Sequence, residues 1–552
     1  MKTANAESHR FDVVALSSYA ATHSLARVSR PIVERISRRG ALYRRNAPAL
    51  QVTPPASFLI DDADVPALRQ TVANIARLGY SEDAVRERLD LNDLTELRWR
   101  ALPSYRADRL AAREPLDLAI DLFLLQGALP ADERDRLFNA SDRDLLTGAG
   151  LLDVDRAGCA RARASLFPAG GRLVFSDHAW PELPHPGLKP VPYDQVMFVG
   201  GDSRHLARGT SRRRVRNMLD LCTGSGIHAL LAAAHSERVL AVDINPRAAR
   251  CARFNAQALG VANLEVVIGD LFEPARRQRF DLITANPPFV PSPVDTLGFR
   301  DGGRSGEDVQ KRIVAGLPHY LAPGGMAHMI TELGERDQEP LVDRLRQWLE
   351  GAPMDILVLR LGEYDATTYA IGHAKGENYE EFLGSVDAWS GNLRAQGFAR
   401  VAPVLVSFAW SDPACGAPWE LMEEARPPKR DAGAEIEAVF LAERMARRPD
   451  LESILSGSLL RLAGPVALVD AQMLGRNLPA NAKATRLGQA LAVEHQLHPL
   501  EREMLRCAER GIAISELLAS LEKNGIGKET VLAAAGSLLR KRLVCMDTTA
   551  AP

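Results

Sequence analysis

The sequence predicts a doubly wound α/β core over residues 190–410, with a smaller, largely helical domain on either side. Three observations lead there. From NMLDLC onward, short apolar runs alternate with amphipathic stretches, the pattern of a mainly parallel sheet covered by helices. Just upstream, PELPHPGLKPVPYD at 181–194 holds five prolines, whose missing amide donors exclude it from helix or central sheet and set a domain boundary. On either side of the core, apolar residues return at helical spacing, as in Leu68, Val72, Ile75 and Leu78.

In chain order, residues 1–55 read as a partly helical leader that ends at the paired prolines of QVTPPAS. Residues 56–180 form a helical, winged-helix-like domain, because ARASLFPAGGRLVFSD adds a β-hairpin turning at Pro168 to Gly171. The core follows, with NMLDLC, RVLAVD, LEVVIG, FDLITAN and GMAHMI as buried strands and PRAARCARFNAQAL as one of the helices between them. MDILVLRL and VAPVLVSFAW complete seven strands, separated by a helical insertion around Asn378 to Gln396. SDPACGAPWELMEEARPPKRDAGA reads as a linker. Residues 434–546 return to helix, and ISELLASLEKNGIGKETVLAAAGSLLRKRLVCM forms a helix-turn-helix followed by a strand, a second winged-helix-like unit.

A chain of 552 residues exceeds what one hydrophobic core serves, which agrees with this division. The net charge of −2 creates no global attraction for nucleic acid. Two local basic runs remain, Arg35, Arg38, Arg39, Arg44 and Arg45, and then Arg204, Arg208, Arg212, Arg213, Arg214 and Arg216; solvated helix faces are the simpler reading of both. The six cysteines form no C-x-x-C pair, so neither a disulfide framework nor a zinc knuckle is expected. With no apolar signal region and no long apolar span, a cytoplasmic protein without membrane association is expected. The oligomeric state is not readable.

The chemistry lies at the strand ends. In MLDLCTGSGIHALLAAA a strand turns into a helix through Gly224 and Gly226, which let a ligand approach the backbone. Alone this signal is weak, since any tight turn uses glycine. Asp243 then closes the second strand, where a carboxylate accepts bonds from ribose hydroxyls, and Asp270 closes the third, where one accepts from an adenine amino group while Leu271 or Phe272 packs on its face. A surface carboxylate explains either acid separately; their joint spacing favours a nucleoside cofactor. The fourth strand runs into FDLITANPPFVPSP, the most specific feature of the chain.

At this motif the sequence resembles the class I S-adenosylmethionine-dependent methyltransferases with an Asn-Pro-Pro-aromatic signature, among them the HemK-type glutamine methyltransferases and the base N-methyltransferases. The resemblance covers residues 190–335 best. It implies a Rossmann-like seven-stranded fold that binds S-adenosylmethionine. Asp220, Gly224 and Gly226, with Cys222, Thr223 and Ser225 in the same turn, would surround its methionine part. Asp243 and Ile244 would meet the ribose, Asp270 and Leu271 the adenine, and Asn286 would border the cofactor as well as the acceptor. Cys222 departs from the pattern, which has glycine there, so the loop is expected to differ in shape.

Asn286 offers a side-chain carbonyl and Pro287 a backbone carbonyl with no ladder partner, and together they hold an NH₂ group by both hydrogens. Pro288 and Phe289 complete the motif, Phe289 as a surface for a planar acceptor. No metal is required, and His228, His235 and His319 lack convergent ligand spacing. Second-tier site residues are Arg300 and Asp301, in a glycine-rich loop that either closes over substrate or caps a helix, and Tyr193, Gly200, Gly201 and Ser203 ahead of the first core strand. The expected reaction is N-methylation of a protein or peptide amide, or of an amino group on a small metabolite. An RNA or DNA base is the runner-up acceptor, and a non-catalytic cofactor-binding protein the third reading.

Overall fold

The computed structural model describes residues 56–97, 101–178, 193–294, 297–376, 378–471, 481–523 and 525–548. The leader with its arginines, and the proline-rich boundary from Pro181 to Pro192, lie outside these.

The core is one sheet. Its strands are β1 (Val215–Leu221), β2 (Ser236–Asp243), β3 (Leu264–Ile268), β4 (Phe280–Ala285), β5 (Leu321–Glu335), β6 (Met354–Arg360), β7 (Tyr364–Asp365), β8 (Arg400–Trp410) and β9 (Glu420–Glu424). They run in the order β9-β6-β8-β5-β4-β1-β2-β3, with β7 beside β8. β3, β2, β1, β4 and β5 are mutually parallel, and β8 enters antiparallel between β5 and β6. The order reverses between β1 and β4, so ligands are expected in the crevice beyond the carboxyl ends of those strands.

Sequence periodicity explains the packing. The central strands are continuous apolar runs because helices cover both of their faces. On one face, Leu219, Ile283, Met329 and Val406 share a cluster with Leu317 and Leu345 of the helices α4 (Asp308–Tyr320) and α5 (Leu341–Trp348). On the other, Met326, Ile330, Leu357 and Leu405 meet Leu206 of α1 (Gly201–Gly209) and Ile436 and Phe440 of α8 (Gly433–Ala446). Two further helices, α2 (Ile227–Ala232) and α3 (Pro246–Ala258), connect β1, β2 and β3. The insertion between β6 and β8 folds as α6 (Ala366–His373) and α7 (Tyr379–Ala395).

Two readings of the sequence are corrected. The segment taken as a linker after Trp410 supplies β9, which extends the sheet parallel to β6 and buries Trp419 to 3% exposure, so the sheet has nine strands where seven were expected. Helix α8, assigned by sequence to the C-terminal unit, is an outer layer of the core.

The N-terminal region joins helices such as Val65–Arg77 and Glu82–Leu89 to a three-stranded antiparallel sheet and a hairpin. The hairpin pairs Ser165–Ala169 with Arg172–Ser176; the turn itself is Gly170–Gly171, and Pro168 is still paired with Leu173. Its hydrophobic cluster continues into Ile227, Leu231, Cys251 and Phe254 of α2 and α3, so it is fused to the core. The C-terminal region has its own cluster around Leu460, Leu505, Val531 and Leu538. It ends in the helices Ile514–Glu522 and Lys528–Arg540 and the strand Val544–Thr548.

Candidate active site

The loop after β1 forms a cradle. Gly226 has φ 85°, and a Cβ there would lie 3.0 Å from Ala252 Cβ, so glycine lets α3 approach the loop closely. Gly224, with φ 56°, would point a Cβ into open space, the space a ligand can enter. Cys222 adopts φ 55°, the left-handed conformation that the expected glycine supplies without strain. Cys222 thus takes a backbone conformation that is open to glycine and costs a larger residue some strain. Burial pushes its thiol well above the ordinary range, keeping it protonated.

Asp220 is placed differently from the expectation. It is fully buried, and its two carboxylate oxygens accept bonds from Thr223 Oγ1 at 2.5 Å and Thr284 Oγ1 at 2.6 Å. Burial pushes its carboxyl up to about 6. Asp220 braces the cradle from beneath. Asp243 instead sits at the cleft, half-buried, accepting from the amides of Gly224 at 2.8 Å and Asn245 at 2.9 Å. Burial raises its carboxyl above the usual range, and the two amides oppose that rise. Ile244 beside it is 69% exposed, an apolar surface with no protein cover. Thr223 and Ser225 are buried in the turn.

At the third strand end Leu271 is half-buried, whereas Phe272 is buried and stacked on Tyr320 at 4.4 Å; of the two, only Leu271 is available to a base. Asp270 forms an ion pair with Arg312 at 2.6 Å. The open-faced glycine turn, the carboxylate at the end of β2 and the uncovered Ile244 fit a nucleoside with an extended tail, as S-adenosylmethionine requires.

The Asn-Pro-Pro-Phe segment leaves β4 beside this cradle. Asn286 Nδ2 donates to Ser203 Oγ on α1 at 3.3 Å and lies 4.0 Å from Met197 Sδ. Its carbonyl oxygen is buried and has no hydrogen-bond partner among the described residues. No hydrogen bond from the described residues reaches the Pro287 carbonyl either. Acceptors of two consecutive residues are thus without a hydrogen bond among the described residues, and the buried one on Asn286 is of a kind ordinarily satisfied.

Phe289 is 7% exposed and clusters with Tyr369, Trp389 and Leu393 of α6 and α7. It packs against the insertion and so anchors the motif. The glycine-rich loop is paired along the motif as a clamp. Val290 N donates to Arg300 O at 2.9 Å, Gly302 N to Val290 O at 3.0 Å and Ser292 N to Gly303 O at 3.1 Å, so the loop runs alongside residues 290–292. Asp301 is buried, accepts from Leu297 N and pairs with Arg300, which lies over Trp389. A Cβ on Gly302 would meet the Pro288 carbonyl at 2.7 Å. Tyr193, 59% exposed, rests against Gly298, while Asp194 O accepts from Asn245; this segment crosses from the clamp to the cradle. Gly201 starts α1 and Ser203 meets Asn286, but Gly200 makes no contact with the motif beyond leading into that helix.

Three residues not singled out from sequence belong here. Asp202 neighbours Ser203, Glu332 lies near the end of β5, and Tyr369 donates to Glu332 Oε2 at 2.6 Å. The overlooked signal is an acid at the end of the fifth strand run, MITE, as at the ends of the second and third. No group of three or more His, Cys, Asp or Glu capable of holding a metal occurs among the described residues.

The chain matches the model of the methyltransferase small domain over residues 201–348. Over 160 residues it is 30% identical to a Methanocaldococcus jannaschii protein named as a protein N5-glutamine methyltransferase, covering 27% of this chain and 80% of that one. It is 30% identical over 264 residues to a ribosomal protein uL3 glutamine methyltransferase of Bordetella pertussis, 44% of this chain and 79% of the relative. A release factor glutamine methyltransferase of Geobacter sulfurreducens is 36% identical over 163 residues, 27% of this chain and 56% of its own, so this chain spans about half of that relative's length.

Proposed function

Because the chain belongs to the class I S-adenosylmethionine-dependent methyltransferases of the HemK type, we propose that it methylates the side-chain amide nitrogen of a glutamine in a protein acceptor. The observation that carries this reading is the pair of unused acceptors, the buried Asn286 Oδ1 and the Pro287 carbonyl. A primary amide brings two N–H donors at fixed geometry and satisfies both. Alcohols and thiols bring one donor and leave a buried acceptor unpaired, at a cost of about 1–3 kcal/mol.

S-adenosylmethionine supplies a methyl group already activated by a sulfonium. The protein's contribution is position and electrostatics. Asp243, Gly224 and Ile244 form the proposed cofactor cradle, and Asp220, Thr223 and Thr284 hold that cradle in shape. Ser203 fixes the amide of Asn286 so that its carbonyl faces the acceptor.

The acceptor reading is tested by incubating the enzyme with isotopically labelled cofactor and protein extract from a strain lacking it, then mapping the label by mass spectrometry. Label on glutamine side-chain nitrogen is expected. Label confined to RNA or metabolites, or carried on oxygen, sulfur or carbon, overturns the reading.

A further inference from the structure

Glu332 and Asp202 have no place in the binding roles described so far; Asp202 precedes Ser203, the hydrogen-bond partner of Asn286, and its charge acts on Glu332. β5 runs parallel to β4 with Met329 opposite Ala285, so the two strands reach the same sheet edge together. Side chains alternate along a strand, and Met326 and Ile330 of β5 join the cluster of Leu206, under α1. Glu332 continues that alternation and emerges on the α1 face, the face on which Asn286 reaches Ser203. Two strand positions and one strand spacing separate the Glu332 backbone from that of Asn286, a distance of roughly 8 Å. The glutamate is also held. Tyr369, 3% exposed and stacked on His373 at 4.2 Å, donates its hydroxyl to Oε2, while Oε1 receives no hydrogen bond from the described residues.

We propose that Glu332 is the general base of the methyl transfer, with Tyr369 as its positioning residue and Asp202 as the neighbouring charge that tunes it. This rests on the glutamine reading above. The chemistry calls for such a group, because an amide nitrogen is a poor nucleophile until its proton begins to leave. The N–C bond forms as the C–S bond breaks with its electron pair retained on sulfur; of the two N–H groups of the acceptor, one stays hydrogen-bonded to Asn286 Oδ1 while the other leaves the Pro287 carbonyl and its proton passes to Glu332 Oε1. The products are the N-methyl amide, S-adenosylhomocysteine and a protonated Glu332, which returns its proton to solvent on product release.

The charged surroundings of Glu332 suit the task. Burial and the negative charge of Asp202 push its carboxyl up to about 7, and the Tyr369 hydroxyl opposes them. Burial likewise pushes Asp202 up to about 6; it makes no hydrogen bond or ion pair among the described residues. The nearby cation, Arg300, is taken up by Asp301 and the face of Trp389, and burial lowers His373 so that it stays neutral. Glu332 is therefore charged, and basic, above about pH 7.

The test joins an acceptor-free measurement to a kinetic one. Carbodiimide coupling of an amine, which requires a protonated carboxyl, is followed by peptide mapping across pH without any acceptor; labelling of Glu332 is expected to persist to about pH 7. Loss of its labelling together with that of ordinary exposed carboxylates overturns the proposal. In single-turnover transfer to the protein extract, Glu332→Gln is expected to lower the rate by about 100-fold or more, with cofactor affinity unchanged. Tyr369→Phe should move the acid limb of the rate profile to higher pH and Asp202→Asn to lower pH, opposite shifts that a merely structural role does not produce. Unaltered rate and profile in Glu332→Gln overturn the base assignment alone. Absence of protein transfer by the wild type overturns the glutamine reading and this proposal with it.

Discussion

Removing the Asn286 amide deletes an acceptor that the folded chain leaves unpartnered and one long bond to Ser203 at 3.3 Å, so its loss costs the fold little. Asn286→Ala is therefore expected to retain stability and cofactor affinity while slowing transfer about 100-fold, since misplacing a reacting atom by about 1 Å costs on that order. Single-turnover transfer beside calorimetric cofactor titration checks it. Asp243→Ala acts on the other partner: with the proposed hydrogen bonds to ribose gone, cofactor affinity should fall by about 1–3 kcal/mol. The same affinity should weaken on acidification through a midpoint above the ordinary aspartate range, because burial raises this carboxyl and protonation removes its acceptor charge. Affinity that is flat with pH contradicts the assignment. Asp220 shows what single residues conceal: an acid at a strand end reads the same whether it faces a ligand or, as here, two buried threonine hydroxyls. Phe289 is ambiguous in the same way, because an aromatic next to a reactive motif is equally suited to anchoring it.

Among elements, those legible in the sequence are the ones whose environment is uniform along their length. The inner stretches of β1, β4, β6 and β8 are buried and appear as mostly apolar runs such as LITA, ILVL and VLVSFA. β9 does not: ELMEE alternates exposed and half-buried positions at the sheet edge, with Glu423 on the covered side and Met422 on the open one, and so resembles a linker. The clamp loop escaped for a different reason, since its pairing with residues 290–292 is long-range and made by backbone groups, which leave no mark on composition. Its glycines carry the dependence. Gly306 has φ 72°, and a Cβ there would stand 2.2 Å from the Phe289 carbonyl, so Gly306→Ala must displace either the clamp or the motif. Expected is a loss of transfer comparable to Asn286→Ala, accompanied by lower thermal stability, which Asn286→Ala does not show. Wild-type melting and turnover in Gly306→Ala would remove the clamp from the account.

At the scale of the whole molecule, the basic run before β1 is where sequence and structure part most clearly. Read along the chain, Arg204 to Arg216 resembles a patch for phosphates. In the folded protein much of it is joinery. Arg204, 4% exposed, pairs with Glu82 at 2.7 Å; Arg208 pairs with Glu82 at 2.9 Å and Asp93 at 2.8 Å; all three partnerships tie the N-terminal region to α1. Arg212 donates to the Ala207 carbonyl and approaches Asp431, and Arg213 donates to the Gly324 carbonyl at 2.6 Å. Arg214 and Arg216 alone are exposed without such contacts among the described residues. Glu82→Ala should thus cost up to about 3 kcal/mol, because it strands a buried guanidinium while Arg208 retains Asp93. Arg212→Ala and Arg213→Ala should likewise lower the denaturation midpoint. Neither should change the salt dependence of any RNA binding, since phosphate contacts that are never made release no counterions. Denaturant melts and filter-binding titrations over a range of salt decide between joint and patch. A shallower salt slope in these variants at unchanged stability would restore the nucleic-acid reading, whereas lost stability with an unchanged slope leaves Arg212 and Arg213 as joints within the core, beside the Arg204 and Arg208 pairs that fasten the N-terminal region to it.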